Sequence, residues 1–271
     1  VNSLLQKRIL TGLILFGLVA FLIWQGGLWI AGGILVIVLL ALWEYGALMK
    51  KLLEGVDTWI LFPPGIGIIG AVTWRVETGE DYLPVVLFLG LLLILIFNIK
   101  RGPAGYFLRV ALLVFGLFYI PFTLSHALLL RGGVAISSFN PWHLIWAPLL
   151  VTWVTDIAAF FIGSTWGKTP LSPAISPKKS VEGALGGGIL GIGVLLILAL
   201  ILQWPLLPFL VLGILMVITG QLGDLVESCI KRNAGAKDSG NILPGHGGFL
   251  DRIDSVIINL PLAYYFMVFF L

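Results

Sequence analysis

Apolar residues run along this chain in long blocks separated by short polar links. A membrane-spanning helix needs about 20 largely apolar residues. On that rule nine segments qualify, near 8–24, 28–49, 58–74, 83–99, 106–130, 142–164, 183–203, 205–228 and 253–271. The third is the weakest, because Pro63 and Pro64 interrupt it; proline is tolerated in such helices where neighbours satisfy the freed carbonyls. A porin-like barrel would show only weak alternation over about 10 residues at a time. The expected fold class is therefore all-α, a polytopic integral membrane protein with about nine transmembrane helices.

Composition supports this class. The chain is 59% hydrophobic and 11% charged, against about 45–50% and about 25% in soluble domains. Lys7 and Arg8 before the run Ile9–Trp24 resemble the start of a signal peptide. Gln25-Gly26-Gly27 offers no clear small-x-small cleavage site, so the run is read as a first membrane helix. With the N-terminus cytoplasmic, 14 of the 16 basic residues fall on one side, and only Arg75 and Arg131 on the other. Such positive-inside asymmetry sets the expected orientation, with the C-terminus outside. Lys50-Lys51 and Lys100-Arg101 are read as topogenic anchors near anionic headgroups. Cys229 is the single cysteine, which excludes an internal disulfide and a thiolate metal cage.

Against this apolar background, Ser228 to Asp254 packs four basic residues, three carboxylates and a histidine into 27 positions. Asp224, Glu227, Ser228 and Lys231 are spaced i, i+3, i+4, i+7, which places them on one helix face. A solvated helix end with an Asp–Lys pair is the structural alternative. Ionisable groups within spans more often mark function. The following loop carries Lys237, Asp238 and several glycines around His246, whose backbone N–H groups can cradle phosphate oxygens. A loop-ordering hydrogen bond is an equal reading for His246. Asp251 and Asp254 are i, i+3 at the mouth of the last span. With Asp224 they offer hard oxygen ligands suited to Mg²⁺, which takes one or two carboxylates plus phosphates and waters. No His-x-x-x-His or Cys-x-x-Cys pattern points to zinc. Asp156 stands in the sixth span, roughly 12 Å from its inner end, as a further metal ligand or a structural hydrogen-bonding group. Lys178 and Lys179 follow a proline turn and suit phosphate neutralisation, or simple topogenic anchoring. Gly183, Gly187 and Gly191 stand four apart and predict a smooth ridge for close helix packing.

The segment Ser228 to Asp254 resembles the phosphatidate cytidylyltransferases, or CDP-diacylglycerol synthases. The shared pattern is Ser228, Lys231-Arg232, Lys237-Asp238, His246-Gly247-Gly248, Phe249, Asp251-Arg252, Ile253 and Asp254. Ser176-Pro177-Lys178-Lys179 with Glu182-Gly183 resembles the family's Ser-Pro-Lys-Lys-Thr-x-Glu-Gly element, with Ser180 in place of Thr and Val181 where Trp is common. Asp156, followed by Ala158-Ala159-Phe160 and Gly163, is similar as well. The first five spans carry no matching motif. The expected organisation is residues 1–140 as N-terminal transmembrane helices of unassigned role and residues 141–271 as catalytic helices and cytoplasmic loops.

The resemblance implies a reaction of phosphatidic acid with CTP, giving CDP-diacylglycerol and pyrophosphate in phospholipid biosynthesis with Mg²⁺ as cofactor. It implies metal ligands among Asp224, Asp251, Asp254 and Asp156, and charge neutralisation by Lys231, Arg232, Lys237 and Arg252. Lys178 and Lys179 are added as phosphate binders, and Ser228, Asp238 and His246 as members of the catalytic set. Expected partners are CTP, phosphatidic acid and membrane lipids, with no nucleic acid; a homodimer is compatible. The expected location is the cell's inner (plasma) membrane, multi-pass, with the active site facing the cytoplasm. A CTP-dependent polyprenol or phytol kinase is the competing enzyme reading. A transporter of anionic solutes is the non-enzyme reading, disfavoured because transporter sites lie near the midplane.

Overall fold

Backbone N–H and C=O groups find no water in lipid, so long apolar runs satisfy them internally as helices. The computed structural model describes residues 2–136, 139–242 and 247–271, with side chains from Gly12 onward. Among them are α1 (Asn2–Gln25), α2 (Gly27–Leu52), α3 (Phe62–Thr78), α4 (Leu83–Ile99), α5 (Tyr106–Leu117) and α6 (Thr123–Gly132). Then follow α7 (Pro141–Leu144), α8 (Trp146–Trp166), α9 (Val181–Ile201), α10 (Leu206–Asn233) and α11 (Leu250–Phe270). Seven helical segments among the described residues are long and apolar enough to cross a membrane. Two more expected spans coincide with α1 and with α4, the latter apolar but only 17 residues long. Leu28, Phe88, Phe107 and Phe160 are more than half exposed on these helices. Apolar surface on that scale is tolerable only against lipid or another protein. The chain is a multi-pass membrane protein of the all-α class.

The prolines mark helix ends and bends in a readable way. Pro63 and Pro64 occupy the first turn of α3, after a 3₁₀ turn over Thr58–Leu61. Their missing N–H is no loss there, so they begin the helix rather than break it. Pro121 lies inside a π turn, Phe118–Phe122, that joins α5 to α6 into one span. Thr123 Oγ1 donates to the Tyr119 carbonyl at 2.5 Å and Ser125 Oγ to the Phe122 carbonyl at 2.7 Å, satisfying acceptors around the irregular turn.

The chain forms two units, one of residues 1–134 with 233–252 and one of residues 135–232 with 253–271. In the first, α3 packs against α2, α4 and α6. Arg109 is buried there. Its guanidinium donates to Asn98 Oδ1 and to the carbonyls of Gly102 and Ala104, which satisfies the charge locally. The second unit is built on the close pairing of α8 and α9. The glycine ridge predicted in α9 forms this contact: a Cβ at Gly183 would lie 2.7 Å from the Ala159 carbonyl oxygen.

The one strand pair among the described residues lies in the polar link between these helices. Strand β1 (Pro170–Ser172) runs antiparallel to β2 (Ser176–Ser180), with Pro170 opposite Ser180 and Ser172 opposite Ser176. The helical periodicity used for the spans could not reveal it. Prolines at 170, 173 and 177 hold this stretch out of the helical region.

Candidate active site

In the second unit, the polar face predicted at the end of α10 is turned inward. Glu227, Ser228 and Lys231 are buried and Asp224 is half-buried. Lys231 pairs with Glu227, one turn back. Ser228 Oγ donates to Asp224 Oδ1 at 3.3 Å. The other Asp224 oxygen is ion-paired with Lys179, from β2. The hairpin thus brings one lysine of the Ser-Pro-Lys-Lys run onto the α10 carboxylate. Its neighbour Lys178 stays exposed. Arg232 is exposed too, and its Nε donates to the Ile175 carbonyl at 3.4 Å, near the hairpin turn.

The hairpin is fastened at its base by α9. Ser180 is the N-cap, its hydroxyl accepting from the Gly183 N–H at 3.2 Å. This gives the hydroxyl at position 180 a definite role. Glu182 accepts from the backbone N–H groups of Lys168 and Thr169 and from Thr169 Oγ1 at 2.9–3.2 Å. Removing that carboxylate leaves three donors without their acceptor. Glu182→Ala is expected to increase proteolytic nicking within residues 168–179 severalfold, measured by limited proteolysis of the purified protein. Unchanged nicking would mean the strand pair alone holds the hairpin.

Three carboxylates from three helices share one electrostatic environment. Asp254 of α11 is buried, and Asp224 of α10 and Asp156 of α8 are the negative charges that act on it, with Lys231 as a positive one. Asp156 is exposed, Asp224 half-buried and Asp254 at the back. An accessible acid in the middle of a spanning helix requires a wet cleft, because such residues avoid lipid. Deeper along the same helices a second polar layer joins them. Asn259 Nδ2 donates to Thr152 Oγ1, and Thr219 Oγ1 donates to Asn259 Oδ1, each at 2.8 Å. Asn259 is buried. This node ties α8, α10 and α11 about one turn from Asp156, Asp224 and Asp254. None of its three residues was expected from the sequence, because isolated Thr and Asn in apolar runs carry no motif.

Among the described residues, no three His, Cys, Asp or Glu side chains lie close enough to form a metal cage by themselves. Mg²⁺ does not require one: it dehydrates reluctantly and usually takes one or two carboxylates, with waters and substrate phosphates filling the rest. The three acids, one of them buried beside two like charges, fit such an ion.

The remaining motif residues lie in the first unit. Lys237, Asp238 and Arg252 are exposed. Asp251 Oδ2 accepts from the N–H groups of Ser239 and Gly248 at 3.0 and 2.8 Å and lies 3.0 Å from Ser239 Oγ. That oxygen orders the loop. His246 lies outside the described residues. Glu44 of α2, also missed in the sequence, reaches the same loop: it accepts from the N–H groups of Phe249 and Leu250, each at 2.8 Å.

Carboxylates on α8, α10 and α11, with Lys179 of β2 and Lys231 of α10 beside them, define a polytopic membrane protein with a cluster of charged groups on its spanning helices. The sequence profile of the cytidylyltransferase family matches residues 6–270. The chain is 35% identical over 194 residues to a phosphatidate cytidylyltransferase of Bacillus subtilis (strain 168), covering 71% of this chain and 70% of the relative. It is 35% identical over 295 residues to the protein of that name from a Synechocystis species, covering 98% and 97%. With the Brucella suis biovar 1 phosphatidate cytidylyltransferase the identity is 34% over 272 residues, covering 99% and 95%. The chain belongs to the cytidylyltransferase family.

Proposed function

We propose that this protein is a phosphatidate cytidylyltransferase, converting CTP and phosphatidic acid to CDP-diacylglycerol and pyrophosphate. The observation that carries the reading is the carboxylate set Asp156, Asp224 and Asp254, with Lys179 paired to Asp224 and Lys231 near Asp254. The lipid phosphate oxygen attacks the α-phosphorus of CTP. A new P–O bond forms as the bond to the β-phosphate bridging oxygen breaks, and pyrophosphate leaves with that electron pair. A phosphate nucleophile is already anionic near neutral pH, so no strong general base is required. Catalysis is then positioning and charge neutralisation.

Asp224 and Asp254 would hold Mg²⁺, with Asp156 in support; when bound, the ion neutralises phosphate charge and polarises the reacting phosphoryl group. Ser228 orients Asp224. Lys179 is within reach of whatever Asp224 binds and can transfer its charge to a phosphate. Lys178 and Arg232 are exposed cations of the same unit, suited to the triphosphate. On the motif alone, Lys237 and Arg252 remain assigned to phosphate, and Asp238, His246 and Asp251 to the catalytic set. The three bonds on Asp251 Oδ2 favour Asp254 as the metal ligand of α11.

The proposed topology has nine spans, a cytoplasmic N-terminus and the site facing the cytoplasm from the inner membrane. The 14-to-2 partition of basic residues supports it. A cytoplasmic site gives CTP direct access while acyl chains stay in the bilayer. A homodimer is compatible with this arrangement, and no nucleic acid takes part.

One assay tests the reaction. Purified protein is given phosphatidic acid, Mg²⁺ and CTP labelled in either the α- or the γ-phosphate. The α-label is expected in the lipid, in a product with the mass of CDP-diacylglycerol. Lipid labelled only from the γ-phosphate would instead make the protein a kinase.

A further inference from the structure

The buried acid of α2 has no place in the chemistry above, yet three donors of its own unit meet it. Glu44 is 2% exposed, eight residues from the C-terminal end of an apolar helix. An acid in such a span is costly unless it is paired or hydrogen-bonded. Here its oxygens are met by backbone donors from a segment some two hundred residues further along. Phe249 N donates to Oε1 and Leu250 N to Oε2, each at 2.8 Å, and Ser239 Oγ lies 3.0 Å from Oε2. Leu250 opens α11 and Phe249 directly precedes it. The first N–H groups of a helix have no partner within it, and the helix dipole favours negative charge there. Glu44 therefore caps α11 from another helix.

The same carboxylate shapes the loop before that helix. Ser239 Oγ lies 3.0 Å from both Glu44 Oε2 and Asp251 Oδ2, and its single proton serves one of them at a time. A Cβ at Gly248 would fall 2.7 Å from Glu44 Oε2 and 2.6 Å from the Gly240 nitrogen. Only glycine fits at position 248 while the carboxylate stays in place. Lys237 and Asp238 directly precede Ser239, and Asp251 and Arg252 directly follow Leu250.

We propose that Glu44 is a positioning residue for the reaction: it fixes Ser239 and the start of α11 at Phe249 and Leu250, with Ser239 as its relay to Asp251. The N-terminal helices thereby acquire a part in catalysis. This rests on the cytidylyltransferase reading for its activity readout, but not for its structural one.

The test uses the full-length protein in detergent with Glu44→Gln, Glu44→Ala and Ser239→Ala. Amide hydrogen exchange at Phe249 and Leu250 is measured beside that of α3, and kcat and KM for CTP are measured per folded molecule. Glu44→Ala is expected to speed exchange at 249 and 250 at least tenfold, with α3 unchanged. It should lower kcat about 100-fold, the scale of loss when reacting groups are misplaced by about 1 Å. Glu44→Gln keeps one acceptor oxygen and should recover part of both losses. Ser239→Ala should fall between Glu44→Gln and the parent. Parental exchange at 249 and 250 in both Glu44 variants would overturn the proposal, as would parental kcat in Glu44→Ala. If the parent transfers no cytidylyl group, the reaction assignment fails while the exchange data still judge the clamp.

Discussion

Asp254→Asn is expected to remove nearly all cytidylyl transfer while leaving the protein folded and at least as resistant to heat. Asn is almost the same shape, so packing around the buried position is kept. What disappears is a carboxyl group whose charged form is opposed by burial and by two others, Asp156 and Asp224. Like charges in a low-dielectric site repel strongly, and removing one relieves the fold. The same charge is what would hold a divalent cation against two polyanionic reactants. Losing one element of such preorganised electrostatics costs about 10²–10³ in kcat, and loss of the ion would cost more. Asp224→Asn should be equally inactive but slightly less stable, since it breaks the Lys179 pair and weakens the acceptor of Ser228. That pair is partly exposed, so the stability change should stay within about 1 kcal/mol. Lipid product per folded molecule and thermal unfolding in detergent check both statements. Near-parental turnover in both variants would remove these residues from the site.

The contrast between these acids and Glu44 shows what the sequence could and could not disclose. Asp224 and Lys231 were legible because charges at i and i+7 near the end of an apolar helix share a face. Their partners were not, because Lys179 reaches Asp224 from a strand and Lys231 turns to Glu227. The hairpin stayed hidden for a related reason: three and five residues are too few for a period-2 signal. Glu44 did leave a trace, a lone acid within ALWEYG in the second span. The rule that drew attention to Asp156, that an intramembrane acid has a function, applies to it equally. Nothing in the N-terminal helices matches a motif that would single Glu44 out. Its partners are backbone N–H groups, to which side-chain patterning is blind. The π turn at Pro121 and the starting turn at Pro63-Pro64 divide in the same way. Proline marked both places, but only the surrounding hydrogen bonds distinguish a bend from a beginning.

Gly187→Ile should damage fold and activity together, and it tests whether the α8–α9 contact positions the site. A Cβ at Gly187 would lie 2.6 Å from the Thr155 carbonyl oxygen, 2.9 Å from the Ala159 nitrogen and 2.8 Å from the Ala159 Cβ. Two of these are backbone atoms of a helix, which cannot rotate away. The helices must separate, and the flanking glycines cannot absorb the change. Gly183 would meet the Ala159 oxygen at 2.7 Å and Gly191 the Val151 oxygen at 3.2 Å. Overpacking of this kind typically costs about 1–3 kcal/mol, and occasionally more. Membrane helices depend on such close approach, since lipid gives them little hydrophobic drive to associate. Asp156 stands between Thr155 and Ala159, on the stretch of α8 that would be displaced, so the carboxylate set should open as the contact does. Gly187→Ala should show the same losses in milder form. Gly193, on the same helix, has nothing within 4 Å of its Cβ position, and Gly193→Ala should leave unfolding temperature and turnover unchanged. If Gly187→Ile matches that control in both measurements, the glycine ridge is not what sets the distance between α8 and α9.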